Sequence, residues 1–258
     1  MTTRKVQRDF DELSSVYDET REPIDPETID GLRRFLREHR CASLLEVGVG
    51  TGRIAQPLME SGWKVVGLDA SRGMLSHACA KGLPYLVQGA AYHLPFADRT
   101  FDAALFVHVL HILDEPGVGL REGLRVSRHG VLAIMDRTPE EPVADRPEDP
   151  SPREVLRGVL SELGYPELLR TGPRTKEREI LRVFPPKEVR LLSDREVTEP
   201  LSKHLDTLEK RAYRHVLDVP PDVLQRAVTE ARARVGDRTV TYRRPESVVW
   251  WPESATPR

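Results

Sequence analysis

An apolar run that ends in closely spaced glycines constrains the fold of this chain more than any other feature. Leu44 to Gly52 reads LLEVGVGTG, an apolar stretch followed by the pattern E-x-G-x-G-x-G directly before a helix-like segment. Glycine permits a tight backbone turn and leaves no side chain between the backbone and a ligand. The segment therefore predicts a strand, a ligand-binding turn and a helix in immediate succession.

Further apolar runs follow at the intervals expected of βαβ units. Each is apolar along all or most of its length, as are strands that helices cover on both faces. Asp25 before a proline can cap one helix, and Ser71 can cap another that ends at Ala80 before Gly82. The pattern predicts a doubly wound, mostly parallel sheet with strands at Ser43–Val47, Lys64–Leu68, Tyr85–Val87, Ala103–Val107 and Val131–Met135.

The C-terminal half has a different pattern, which we interpret as a helical cap and two returning strands. A proline- and acid-rich link over 139–152 predicts an exposed connection, and Ser151 and Glu154 have the spacing of a capping box. Amphipathic helices are predicted between 151 and 235. We expect one domain over 1–258, with a core over about 25–140, strands over about 186–196 and 238–252, and a cap over about 141–183 and 199–235.

Composition and charge narrow the classes of partner. The chain has 39 Lys and Arg against 41 Asp and Glu, a net charge of -2, so we expect no nucleic acid. The longest apolar run, Ala103 to Leu113, is too short to span a bilayer. Cys41 and Cys79 form no CxxC pair, which argues against a disulfide framework or a metal cluster. We expect a cytoplasmic monomer or homodimer that needs no membrane and no metal.

The glycine turn by itself leaves two ligand classes open. Nicotinamide and flavin enzymes carry G-x-G-x-x-G or its looser G/A form in the same place. Counted from Gly48, the last position of that pattern is Arg53, and counted from Gly50 it is Ala55, which the looser form accepts. Asp69 ends the second strand and can accept hydrogen bonds from the ribose hydroxyls of an adenosine. An adenosine-containing ligand is predicted, and the dinucleotide pattern stays a weaker alternative.

Four consecutive segments together resemble the class I S-adenosylmethionine-dependent methyltransferases, particularly the small-molecule branch with ubiquinone and menaquinone C-methyltransferases. They are Glu46–Gly52, Val65–Met74 (VVGLDASRGM), Gln88–Phe96 (QGAAYHLPF) and Phe101–Leu113 (FDAALFVHVLHIL). The resemblance covers roughly residues 17–136. Together with the strand and helix pattern described above, it predicts an α/β fold with a Rossmann-like, doubly wound, mostly parallel seven-stranded sheet and a helical cap. It also implies S-adenosyl-L-methionine as cofactor and a small-molecule methyl acceptor.

The resemblance further implies which residues bind the cofactor. The glycines would lie against its methionine and ribose portions, and the acidic end of the second strand would hold the ribose. Tyr17 and Arg21 would lie near its carboxylate, for which a guanidinium is a natural bidentate partner. The whole implied set is Tyr17, Arg21, Glu46, Gly48, Gly50, Asp69, Ala70, Met74, Ala90, Ala91 and Val107.

No catalytic residue is assigned by the sequence, although three side chains are candidates. His108 and His111 follow the fourth strand, at the edge where open α/β sheets bind ligands, so either could act as a base on an acceptor. Tyr17 is the third candidate. We also expect the cap to close the acceptor pocket and to set specificity.

Two positions depart from the pattern of the family. Ala90 stands where an aspartate usually accepts a hydrogen bond from the adenine amino group, so water, Gln88 or His93 would have to replace it. The usual glycine pair before the fifth strand is reduced to His129-Gly130. Two alternatives therefore stay open: a non-catalytic protein that binds S-adenosylmethionine or S-adenosylhomocysteine, and an NAD(P)-dependent oxidoreductase.

Overall fold

A computed structural model describes residues 3–135, 152–166 and 174–254 of the chain. They contain a seven-stranded sheet in the order β3-β2-β1-β4-β5-β7-β6, in which β7 is antiparallel to both neighbours and the other adjacent strands are parallel. The strands are β1 Ser43–Val47, β2 Lys64–Asp69, β3 Leu86–Gln88, β4 Phe101–Val107, β5 Ser127–Met135, β6 Glu188–Pro200 and β7 Thr239–Pro252. The α/β, mostly parallel seven-stranded sheet predicted from the sequence is confirmed.

Helices cover both faces of this sheet. Alternate residues of one strand face opposite layers, so Leu44 packs in one buried cluster with α2 and α3, while Leu45 packs in another with α5. The helices are α1 Thr3–Thr20, α2 Pro26–Glu38, α3 Ala55–Glu60, α4 Arg72–Ala80, α5 Pro116–Val126, α6 Pro152–Glu162, α7 Arg174–Val183, α8 Leu201–Glu209, α9 Arg214–Leu217 and α10 Pro221–Val235.

The two helix caps that the sequence indicated are present. The Asp25 side chain accepts a hydrogen bond from the Glu27 amide at 2.9 Å and begins α2. The Ser71 hydroxyl accepts one from the Met74 amide at 3.1 Å and begins α4. These caps satisfy amides that have no partner within the first turn of a helix. Both helices therefore begin where predicted, close to the ends of strands.

The N-terminal helix α1 is an element that the sequence analysis did not predict. Asp11 on this helix accepts hydrogen bonds from the Ser71 hydroxyl at 2.6 Å and from the Gly73 amide at 3.1 Å. Asp18, two turns further along, accepts one from the Thr51 hydroxyl at 2.6 Å. Because Thr51 follows β1 and Ser71 follows β2, α1 lies across the carboxyl ends of these strands.

The described part of the cap is a helical cluster, but its boundary differs from the expected one. Leucines, valines and alanines of α6, α8, α9 and α10 form a buried cluster of their own. Ile180 and Leu181 of α7, assigned above to the cap, pack instead with the sheet, and the Phe184 carbonyl accepts a hydrogen bond from Trp251 at 2.9 Å. The apolar face of α7 thus completes the core. Of the predicted link over 139–152, residues 139–151, with the Ser151 cap, lie outside the described residues, and Pro152 begins α6.

Candidate functional site

A cleft opens at the carboxyl ends of β1, β2 and β4, beneath α1. Its empty volume, which includes open space at the mouth, is about 970 Å³. Open α/β sheets bind ligands at this end of their strands. The lining includes Val6, Gln7, Phe10, Tyr17, Ile24, Glu46, Gly48, Gly50, Arg53, Asp69, Ala70, Met74, Gly89, Ala91, Val107, His108, Ile112 and Leu113.

The glycine turn forms the floor of the cleft. Gly48 and Gly50 have φ angles of +75° and +56°, in the left-handed region that glycine adopts without strain. A Cβ atom at Gly48 would lie 2.5 Å from a methyl group of Val109, whereas at Gly50 no atom lies within 4 Å of the added carbon. Gly48 is therefore required by packing and conformation, and Gly50 exposes its backbone to open space.

Asp69, at the end of β2, is hydrogen-bonded to this turn. Its Oδ2 accepts a hydrogen bond from the Gly50 amide at 2.9 Å, and its Oδ1 accepts one from the Ser71 amide at 2.9 Å. Burial raises the pKa of the carboxyl, while these amides act in the opposite direction. Each carboxylate oxygen has a second lone pair, so Asp69 retains the capacity to accept hydrogen bonds from two hydroxyl groups of a ligand.

Glu46, at the end of β1, is a buried carboxyl group in the lining of the cleft. Burial, and then repulsion from Asp69, raise its pKa to about 8. Its Oε2 is buried and has no hydrogen-bond partner among the described residues. An unpartnered buried oxygen costs about 1–3 kcal/mol, which a cationic or hydrogen-bonding group of a ligand would offset.

Most residues of the predicted cofactor set line this one cleft. Tyr17, Glu46, Gly48, Gly50, Asp69, Ala70, Met74, Ala91 and Val107 are in its lining. Arg21 and Ala90 are not part of the lining within the described chain, nor is the candidate base His111.

Arg21 is held instead between two aromatic rings. Its guanidinium carbon lies 4.8 Å from the ring centre of Tyr17 and 4.4 Å from that of Tyr213. Its Nη2 donates a hydrogen bond to the Ala212 carbonyl at 3.0 Å. These contacts join the end of α1 to the segment between α8 and α9, so Arg21 braces the cap against α1.

Ala90 lies beside the cleft, between the lining residues Gly89 and Ala91. Gln88, which could have replaced the missing aspartate, has its amide group engaged elsewhere. Its Oε1 accepts from Arg72 at 2.9 Å and its Nε2 donates to the Ala70 carbonyl at 3.1 Å. The amide group of Gln88 is therefore already engaged and does not take the place of the missing aspartate.

Several lining residues have no counterpart in the sequence predictions. Val6, Gln7 and Phe10 come from α1, and a helix predicted there would have placed them above the strand ends. Arg53 follows the glycine turn and is the sole Lys or Arg side chain in the lining among the residues described. Its position directly after the glycine turn is the local signal that could have identified it.

His108 is the candidate base that lies in the cleft. Its backbone is in the left-handed region, with φ of +51°, which is unusual for a residue with a β-carbon. Its Nε2 is 3.8 Å from Oε1 of Glu246, a buried carboxyl on β7. The Thr28 hydroxyl donates a hydrogen bond to Oε2 of Glu246, and its oxygen lies 2.7 Å from the hydroxyl oxygen of Ser193, within hydrogen-bond distance. The carboxyl group of Glu246 is thus held in place close to the imidazole of His108.

Two negative observations apply to the described ranges. Within them, no three His, Cys, Asp or Glu side chains are grouped as a metal site requires. No helix there has the length and apolar character needed to cross a membrane.

Comparison with known proteins agrees with the geometry. Residues 45–135, from β1 to the end of β5, match the family described as "Methyltransferase domain". The chain resembles the class I S-adenosylmethionine-dependent methyltransferases. The matched segment holds the glycine turn, Glu46, Asp69 and His108, whereas α1 and the cap lie outside it.

Individual relatives extend this resemblance to the menaquinone type. A demethylmenaquinone methyltransferase from Corynebacterium kroppenstedtii is 37% identical over 131 residues, which cover 49% of this chain and 57% of the relative. One from Renibacterium salmoninarum is 33% identical over 131 residues, covering 49% and 55%. The chain therefore spans little more than half the length of these curated relatives.

A solved structure supports the fold over most of the chain. A protein from Bacillus halodurans described as a methyltransferase aligns with a TM-score of 0.51 and 19% identity, over 86% of this chain and 98% of the other. At this identity the similarity establishes the shared methyltransferase fold only.

Proposed function

We propose that this chain is an S-adenosylmethionine-dependent methyltransferase that acts on a small, largely apolar acceptor. One observation carries the proposal: two carboxyl groups, at the ends of adjacent parallel strands, flank a glycine turn in a single cleft. Glu46 and Asp69 both line that cleft, and Asp69 is bonded to the turn through the Gly50 amide. An amino-acid ammonium and a ribose diol are complementary to such a pair.

The residues present fit the cofactor. The buried, unpartnered Oε2 of Glu46 is suited to accept a hydrogen bond from an ammonium group, and Asp69 can accept from both ribose hydroxyls. Bound S-adenosylmethionine would supply a methyl group on a sulfonium, which is already an activated electrophile. The protein's remaining task is to align the acceptor, exclude water and remove a proton where the acceptor carries one.

His108 is our candidate for that proton transfer. It lies in the cleft, and Glu246, with Oε1 3.8 Å from Nε2 of the ring, is close enough to attract the positive charge that the imidazole would gain with the proton. Tyr17 lines the same cleft and is the second candidate. Phe10 of α1 and Ile112 and Leu113 after β4 add apolar side chains to the lining, so we propose an acceptor with an apolar body.

Label transfer tests the activity. The protein would be incubated with S-adenosylmethionine that carries a tritiated methyl group and with chemically reduced demethylmenaquinone, since the curated relatives are named for demethylmenaquinone. A second set of reactions would contain a small-molecule cell extract instead. We expect label in an organic-soluble product, one S-adenosylhomocysteine per methyl, and loss of both with Asp69→Ala. S-adenosylhomocysteine binding without label transfer to any fraction would instead favour a non-catalytic binding protein.

Three finer points belong to the same proposal. We propose a cytoplasmic location, in keeping with two cysteines that have no disulfide partner among the described residues. A monomer or homodimer stays a prediction. The cap is proposed to set acceptor choice, and a chimera carrying the cap of a relative with a different acceptor would retain the original acceptor if this is wrong.

A further inference from the structure

Arg53 has an unusual position for a surface-type side chain, because it is half-buried in the lining of the cleft. It follows the glycine turn and lies two residues before Ala55, whose backbone is hydrogen-bonded to Glu46. The cation of Arg53 and the carboxyl of Glu46 are therefore supplied by the same short stretch of chain, and both residues line the cleft.

The Arg53 guanidinium has N–H donors that form no hydrogen bond with the described residues. Among the described residues, its hydrogen bonding is limited to one bond from Nη2 to the Glu22 carbonyl, while a guanidinium has five N–H donors. Asp18, which attracts the cation of Arg53 electrostatically, is itself paired with Lys81 at 2.5 Å and accepts a hydrogen bond from Thr51. A half-buried cation with unused donors in a cleft is a binding position for an anionic group of a ligand.

We infer that Arg53, and not Arg21, binds the carboxylate of the cofactor's methionine portion. The inference rests on the proposed function. That portion is a zwitterion, and the cleft offers it one unpartnered carboxyl oxygen, from Glu46, and one guanidinium, from Arg53. Arg21 also has a buried nitrogen, Nη1, without a partner among the described residues, but its guanidinium is enclosed between Tyr17 and Tyr213 and is not in the lining.

Two ligands that differ only in this carboxylate separate the two arginines. Calorimetry would measure the binding of S-adenosylhomocysteine and of its decarboxylated analogue, S-adenosyl-3-thiopropylamine, to the full chain. For Arg53→Met we expect about 10- to 100-fold weaker binding of S-adenosylhomocysteine and less than about threefold change for the analogue, the range of a lost charged hydrogen bond. Arg53→Lys keeps the positive charge but lacks the two parallel donors of a guanidinium. We expect it to lose less affinity for S-adenosylhomocysteine than Arg53→Met does, again with little change for the analogue.

Arg21→Met is the matched control. Since Arg21 acts as a brace in this account, its removal should weaken both ligands by the same factor. Equal loss of both ligands in Arg53→Met and Arg53→Lys, or a carboxylate-selective loss in Arg21→Met, would overturn the inference while leaving the proposed function intact. If the wild-type chain binds neither ligand, the proposed function fails, and the inference fails with it.

Discussion

The buried carboxyl of Glu46 predicts that cofactor affinity depends on pH in a defined way. Burial and the neighbouring Asp69 raise the pKa of Glu46 to about 8, so the free protein carries it mostly protonated at neutral pH. An ammonium group at its unpartnered Oε2 favours the ionised form. Binding of S-adenosylhomocysteine should therefore release a proton, and its affinity should rise with pH.

The magnitude follows from that pKa. With a pKa of about 8, roughly one molecule in a hundred has Glu46 ionised at pH 6, and roughly one in four at pH 7.5. If Glu46 stays ionised in the complex over this range, affinity rises about 25-fold between the two values. The number of protons released falls from about 1 to about 0.75 over the same interval.

Calorimetry in two buffers of different ionisation enthalpy measures both quantities at once. Glu46→Gln is the control, since it keeps the shape of the side chain and removes the titration. We expect this variant to bind more weakly at pH 7.5 and with little dependence on pH. Equal wild-type affinities at pH 6 and 7.5, or an unchanged slope in Glu46→Gln, would refute the reasoning.

The same shift affects the stability of the free protein. The folded pKa of Glu46 is raised above its unfolded value near 4.5, so its contribution to stability is present below that value and is lost as pH rises through about 8. The full shift corresponds to an upper limit of about 5 kcal/mol. In urea unfolding, Glu46→Gln should lose less stability between pH 6 and 8.5 than the wild type does.

Other predictions follow from the same geometry. Gly48→Ala should lower the free energy of unfolding by about 2–4 kcal/mol in urea titrations, because a clash adds to left-handed strain, whereas Gly50→Ala should cost only about 1 kcal/mol. Asp69→Asn should weaken S-adenosylhomocysteine binding by about 10- to 100-fold in calorimetry. With an oxygen or nitrogen acceptor, His108→Asn should lower kcat by about 100-fold or more with little change in KM, and Glu246→Gln should lower it less. If both variants instead raised KM for the acceptor and left kcat unchanged, these two side chains would be assigned to acceptor binding.

The core of the fold could be predicted because its signals are local. Each parallel strand is apolar along most of its length, and the capping residues Asp25 and Ser71 mark helix starts by their own hydrogen bonds. Glu46 and Asp69 could be placed as well, since the ends of adjacent parallel strands meet at one edge of the sheet.

The parts that were not predicted depend on long-range contacts. Helix α1 is polar along most of its length and is fixed by Asp11 and Asp18, whose partners are 33 to 62 residues away in the sequence. Arg21 fits a local pattern near the N-terminus, but the rings and carbonyl that hold it come from both α1 and the cap. His108 and Glu246 are neighbours in space but far apart in the sequence, so their pairing has no local signature.

The most direct test of the central claim is a calorimetric titration of the wild-type chain with S-adenosylmethionine, S-adenosylhomocysteine and NADH, repeated with Asp69→Ala. We expect binding of the two sulfur ligands, its loss in the variant, and no binding of NADH. Binding of NADH alone, or sulfur-ligand binding that Asp69→Ala leaves unchanged, would contradict it.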